Sequence, residues 1–436
     1  MSTNAAGTGV TSAVGRYRWV ICSLLFLATT INYVDRQILA LIKELLDQEL
    51  GWTNEQFGMV NSAFQGAYAV GLLAFGWFVD RFGTKIGYAV SLVLWSFAAM
   101  SHAAVGSVRG FFAARIGLGF SEGGNFPAAI KAVALWFPKR ERAFATALFN
   151  SGTNVGAIVA PAVIPALALA LGWRSAFVFA GAAGFLWLLV WLPFYDVPEK
   201  QKRLSEAELH FIQSDRDEAG SGGQPMGWGK ALRWRQTWAF VVAKFMTDPV
   251  WWFFLIWLPD YFKKTRGLDI KHSWVHLVTI YAIVTVLSIA GGWVTGYLSQ
   301  RGWSVTRARK TGMLCYAFCV LPILGATSVG DWPAVLLIGL AGSAHQAWSA
   351  NLFTTVSDIF AKKDVATIVG IGGMAGSIGG ILFPWFSGWL LDRLPASQGY
   401  GILFAICASA YLIAFAIHHL LAPSLRPLEA RQRVAS

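Results

Sequence analysis

Gly76-Trp-Phe-Val-Asp80-Arg81-Phe-Gly83-Thr-Lys85 is a short polar turn between two long apolar stretches, and a degenerate copy, Gly296-Tyr-Leu-Ser-Gln300-Arg301-Gly302, follows 220 residues later. A second pair of loops agrees. Phe137-Pro-Lys139-Arg140-Glu141 is echoed by Phe360-Ala-Lys362-Lys363-Asp364 at an offset of 223. Two loops at nearly one offset imply a chain built as two related halves, an arrangement found in secondary transporters with the substrate site near the membrane midplane.

Working outward from these loops, runs without an Asp, Glu, Lys or Arg recur at 86–108, 175–195, 272–300, 332–357 and 365–391. Each reaches or exceeds the ~20 residues needed to cross a hydrocarbon core. Hydrophobic residues make up 56% of the 436 and charged ones 13%, about half of the ~25% carried by soluble proteins. A water-facing surface cannot be built from that composition. Hydropathy predicts an all-α membrane protein with twelve transmembrane helices, at 19–42, 56–79, 86–105, 110–136, 143–170, 173–195, 237–261, 277–298, 311–328, 332–357, 365–391 and 400–422. The expected organisation is a six-helix bundle at 17–195, a linker at 196–236 containing the Gly/Ser-rich run 220–225, a second bundle at 237–422 and a tail at 423–436.

The formal charge of +12 raises the question of nucleic acid. Of the 35 Lys and Arg residues, 23 fall on the side of the termini, eight on the opposite side and four within spans. Positive residues are retained in the cytoplasm, so both termini are expected there and no nucleic-acid partner is expected. The apolar run after the polar first 18 residues leads into Asp35-Arg36 without a small-residue cleavage site, which predicts a first span and not a cleaved signal. Cys22, Cys315, Cys319 and Cys407 lie in apolar runs without disulfide or zinc spacing. No cofactor, metal or catalytic signature stands out, so an enzyme is not expected.

The 76–85 turn resembles the signature loop of the major facilitator superfamily. Within it, INYVDRQ at 31–37, RIGLGFSEGGNFPA at 115–128, WFPKRERA at 136–143, TDPVWWFFLIWLP at 247–259 and AHQAWSANL at 344–352 resemble the anion:cation symporters. Bacterial hexuronate transporters are the nearer likeness, galactonate carriers a more distant one. The resemblance implies a proton-coupled importer of a small sugar acid, a hexuronate such as glucuronate or galacturonate, in the inner membrane, and a monomer is expected. Aldonate or glucarate carriers, sodium-coupled organic-anion carriers and a non-transporting membrane sensor are the alternatives.

Ionisable groups within spans cost about 2.5 to 3.5 kcal/mol each at a helix centre on insertion scales, which makes them functional candidates. They are Asp35 and Arg36 in the first span, Arg115, Glu122 and Lys131 in the fourth, Lys244 and Asp248 in the seventh, and His345 in the tenth. A period of three implies four equivalent helices around one cavity. Arg115 and Glu122, seven apart, share a helical face. Adjacent Asp35 and Arg36 point about 100° apart, so one can face a neighbouring helix and the other the cavity. The Arg36 guanidinium suits a carboxylate. The resemblance implies that Arg36 binds substrate, that Asp35 and Glu122 carry protons, that Arg115 partners Glu122, and that Asp80 and Arg81 latch the cytoplasmic gate. Tyr33, Asn125, Trp251, His345 and Gln346 are further substrate-binding candidates. Lys244 either pairs with Asp248 at i,i+4 or offers the substrate a second cation. Glycines at 152, 156, 372, 376 and 380 have the spacing of close helix crossings.

Overall fold

A computed structural model describes residues 15–214, 226–360 and 362–426; the 220–225 run and the tail beyond 426 lie outside them. Among the described residues there is no strand. The helices are α1 (Tyr17–Leu41), α2 (Lys43–Leu50), α3 (Asn54–Phe82), α4 (Thr84–Ser101), α5 (Val108–Glu122), α6 (Asn125–Trp136), α7 (Lys139–Asn150), α8 (Gly152–Leu171), α9 (Trp173–Phe194), α10 (Glu206–Gln213), α11 (Trp228–Ala231), α12 (Arg235–Arg266), α13 (Ile270–Gln300), α14 (Val305–Val320), α15 (Asp331–Ile359), α16 (Lys362–Arg393) and α17 (Ala396–Leu421).

Every expected span coincides with helix, but nine helical stretches among the described residues are long and apolar enough to cross a membrane unaided. The other three have physical reasons to fall short. The fourth breaks at Gly123-Gly124 into α5 and α6, of 15 and 12 residues. In the ninth, α14 opens with Arg307, Arg309 and Lys310 and passes into the 3-10 turn Leu321–Gly325. The tenth, α15, is 29 residues long but diluted by His345, Gln346 and Asn351. Large apolar side chains such as Leu73, Leu186, Leu189 and Val286 are about two-thirds exposed, which suits hydrocarbon and not water.

Helix ends follow local chemistry. Thr53 and Gln56 form a reciprocal capping box at the start of α3. Gly83, at φ +85°, turns the chain from α3 into α4 in one residue, a conformation that disfavours any side chain. At Ser205 and Glu208 a capping box is half formed: Ser205 accepts from the Glu208 N–H, while the Glu208 carboxylate accepts from the Tyr17 and Arg18 N–H groups. A buried carboxylate from α10 thus caps α1, where the exposed amides favour an anion. It also pairs with Arg18 at 3.0 Å, and Arg18 pairs with Glu141 at 2.8 Å.

The close-crossing glycines pack as expected. Gly152 and Gly156 lie on α1, and Gly372, Gly376 and Gly380 lie on α12 against Phe240, Asp248 and Trp252. The two halves of the chain meet along α3 with α16, α1 with α12 and α8 with α13. At the end remote from the termini, Asp392 of α16 accepts from the Asn54 and Glu55 N–H groups of α3 at 2.9 and 2.7 Å. Three ion pairs join the halves at this end: Lys43 with Asp260, Lys263 with Glu44 and Arg393 with Glu55.

Candidate functional site

The centre of the site is the pair Arg36–Glu122, with Nε 2.7 Å from Oε2 and both side chains buried. The guanidinium carbon lies 4.4 Å from the ring centre of Tyr68, 5.1 Å from Tyr33, 5.4 Å from Phe64 and 5.5 Å from Trp252. Three rings belong to the first half and the fourth, on α12, to the second. Aromatic faces stabilise a cation that has lost its water, so the box holds the arginine charged in an apolar setting. Its Nη2 is buried without a hydrogen-bond partner.

Arg115 does not form the expected ion pair with Glu122. Its Nη2 donates to the Arg36 carbonyl at 3.2 Å, and Glu122 is taken by Arg36. The break at Gly123-Gly124 leaves Glu122 as the last residue of α5, and α1 supplies the partner in reach. Asp35 diverges from Arg36 as adjacent helical residues must. Both its oxygens are buried without a hydrogen bond of ordinary geometry, and its neighbour is the Trp95 indole, itself unpartnered. Glu122 Oε1 and the Asn32 amide are a second unpartnered couple.

The second half presents a separate cluster. Lys244 and Asp248 pair at 2.6 Å, with the ammonium 4.4 Å from the Phe353 ring centre, so the intrahelical alternative is the one formed. The His345 ring stacks on Trp251 at 5.6 Å, and its Nδ1 is 2.6 Å from the Tyr411 hydroxyl. Gln346 beside it is half-buried. Tyr33 lies within electrostatic range of Asp248, so the two clusters face one another.

Two groups of candidates lie elsewhere. Asn125 accepts a hydrogen bond from Tyr88 of α4, away from Arg36. Asp80 pairs with Lys131 at 2.8 Å at the end bearing the termini, within its own half; Arg81 is exposed. Sequence reasoning missed Phe64 and Tyr68, whose i,i+4 spacing puts them on one face of α3 but is indistinguishable from ordinary packing. It also missed Trp95, Tyr411 and the Lys43–Asp260 pair. Asp260 follows a Trp-Leu-Pro near a helix end, where charges are common enough to pass unnoticed.

Comparison with known proteins places this geometry. The family model described as Major Facilitator Superfamily matches residues 25–384. A hexuronate transporter of Escherichia coli (strain K12) is 32% identical over 402 residues, 90% of each chain. A probable galactarate/D-glucarate transporter, GudP, of Bacillus subtilis (strain 168) is 30% identical over 426 residues, 91% of each chain. A solved bacterial homologue of the human lysosomal transporter Spinster superposes with a TM-score of 0.73 at 16% identity, covering 94% of this chain and 98% of its own. Repeated halves, apolar helices and buried charges at their meeting face thus have one explanation: the chain belongs to the major facilitator superfamily and is a multi-pass membrane transporter.

Proposed function

We propose that the protein imports a small sugar acid, a hexuronate such as glucuronate or galacturonate, together with protons by alternating access. It does so as a monomer in the inner membrane with both termini cytoplasmic. The moving parts are two six-helix bundles, 17–195 and 237–422. The observation that carries this reading is the buried Arg36–Glu122 pair inside an aromatic box whose fourth wall comes from the opposite half. A substrate carboxylate and Glu122 compete for one guanidinium. Protonating Glu122 removes its charge and releases Arg36 to the substrate, which couples the two ligands without covalent chemistry.

Asp35 is the second protonatable group, since an ionised carboxylate buried with no hydrogen bond is expensive. Arg115 lies within electrostatic range of both acids and steadies whichever is charged. The faces of Tyr33, Tyr68 and Trp252 suit the C–H face of a sugar ring, and Trp251, His345 and Gln346 supply the opposing wall. Asp80 and Arg81 engage the second half only when the cytoplasmic end closes. That the relatives are named for hexuronate and galactarate/glucarate supports an acidic sugar as substrate.

The test is uptake by purified protein in proteoliposomes against a panel of hexuronates, aldonates and aldarates. Each is offered with an inward proton gradient, with an inward sodium gradient and with neither. Uptake of a hexuronate raised by the proton gradient alone is the expected result. Sodium dependence, preference for another acid, or absence of flux assigns the protein to one of the alternatives instead.

A further inference from the structure

The ion pair Lys244–Asp248 stands where the two clusters of the site face one another. On α12 the lysine precedes the acid by one turn, the less favourable order for a helix-stabilising pair. Two ions at membrane depth are also a costly way to hold a helix. Their placement is specific. The ammonium lies over the Phe353 ring at 4.4 Å with its side chain 7% exposed, whereas the Asp248 side chain is 20% exposed. Gly376 of α16 packs against one Asp248 oxygen, and Tyr33 of the first half lies within electrostatic range of the acid. Beside the pair, His345 meets the Tyr411 hydroxyl through Nδ1 at 2.6 Å and lies within range of Lys244. The wall that the second half turns toward Arg36 thus has a carboxylate as its more open member and a cation held beneath it.

We propose that Asp248 is the charge discriminator of the site: it masks Lys244, receives the hydroxyl-bearing end of a monoanionic sugar acid and repels a second carboxylate. The inference rests on the sugar-acid reading and narrows its substrate class to acids with one carboxylate and an uncharged polyol end. Once Glu122 is protonated, Arg36 offers one free positive charge, which one carboxylate satisfies. At the far end the formal charges of Lys244 and Asp248 cancel. An ionised carboxylate accepts from hydroxyl groups but has no proton to give to another carboxylate. A dianion must therefore displace Asp248 from the ammonium or sit against it, whereas a sugar hydroxyl donates to Asp248 with the pair intact. Discrimination of this kind comes from a built-in repulsion and not from added attraction. Neutralising Asp248 unmasks Lys244 and turns the wall from one that binds a polyol into one that binds a carboxylate.

The probes are galacturonate and galactarate, which differ at one carbon, a hemiacetal in the first and a second carboxylate in the other; glucuronate and glucarate are a second matched pair. Isothermal titration of the full-length protein at neutral pH gives the ratio of dissociation constants within each pair. The parent should favour the hexuronate. Asp248→Asn, close enough in size to fit against Gly376, should shift the ratio toward the dianion by at least about tenfold, a small part of what a unit charge a few ångströms away exerts inside a protein. Asp248→Ser provides a second variant should the first fail to fold. Lys244→Gln combined with Asp248→Asn removes the unmasked cation and should cancel the gain. If the parent favours the dianion, if a folded Asp248 variant leaves the ratio unchanged, or if the double variant keeps the gain, the discriminator is refuted while the sugar-acid reading stands. If the parent binds none of the four acids, the sugar-acid reading itself fails, and the discriminator with it.

Discussion

Replacing Arg36 by lysine conserves charge and most of the side-chain length, yet it should abolish most substrate affinity. In the resting arrangement Nε is held by Glu122 at 2.7 Å while Nη2 is buried with no partner. Once protonation of Glu122 frees Nε, arginine can present Nε and Nη2 together as a planar fork to one substrate carboxylate. An ammonium has no rigid fork and cannot serve both positions. The lost contact is a hydrogen bond between ions, about 1.5–3 kcal/mol, which is roughly 10- to 150-fold in affinity. Weaker stacking on Tyr68, 4.4 Å from the guanidinium carbon, adds about 0.5–1 kcal/mol. Isothermal titration of the purified variant against the preferred sugar acid measures the change, with circular dichroism and thermal melting to verify folding. A folded Arg36→Lys protein that binds within threefold of the parent would refute the assignment and leave Arg36 as a packing charge.

Glu122→Gln mimics the protonated acid, so counterflow exchange should persist while accumulation driven by a pH gradient is lost; retained accumulation would move the coupling role to Asp35. Glu208→Ala strips α1 of its cap and removes one of the two carboxylate partners of Arg18, which keeps Glu141, and should lower stability by about 1–3 kcal/mol, read as a fall in melting temperature. Glu49 is held below the usual carboxylate range by the Trp173 indole N–H and by Arg174. Its contribution is present above the unfolded value of about 4.3 and is lost as pH falls through the folded one, so Glu49→Gln should flatten the acid limb of a melting-temperature profile below about pH 4. Cysteine placed at Ser221, outside the described residues, and at Gly267 should react with an impermeant thiol reagent from opposite faces; reaction of both from one face would overturn the topology.

The helical architecture was legible because it is written in period and composition: residues 365–391 contain no charge and can only be a buried or lipid-facing helix. The residues of the site were legible for the same reason, since charge at membrane depth is rare, and Asp35, Arg36, Arg115 and Glu122 do come together. Their pairing was not. Whether Glu122 meets Arg115, seven residues away on the same helix line, or Arg36, 86 residues earlier in the chain, depends on how α1 packs against the α5 end broken at Gly123-Gly124. No spacing rule carries that information. The aromatic box was hidden for a different reason. Fourteen per cent of the chain is aromatic, so Phe64 and Tyr68 do not stand out until the fold sets them over a cation.

The linker is fastened at both ends. Glu208 ties α10 to the start of α1, and Asp364, at the start of α16, accepts from the Met226 N–H at 2.8 Å. Between Ser214 and Met226 the covalent path is short enough to count, and at ~3.3–3.6 Å per residue it can reach roughly 40 Å. That covalent connection acts on concentration, confining each half to the neighbourhood of its mate during assembly. A chain cut between these two fastenings would keep each knot with its own bundle. The two fragments, produced together in one membrane, have everything needed to find each other and resume transport.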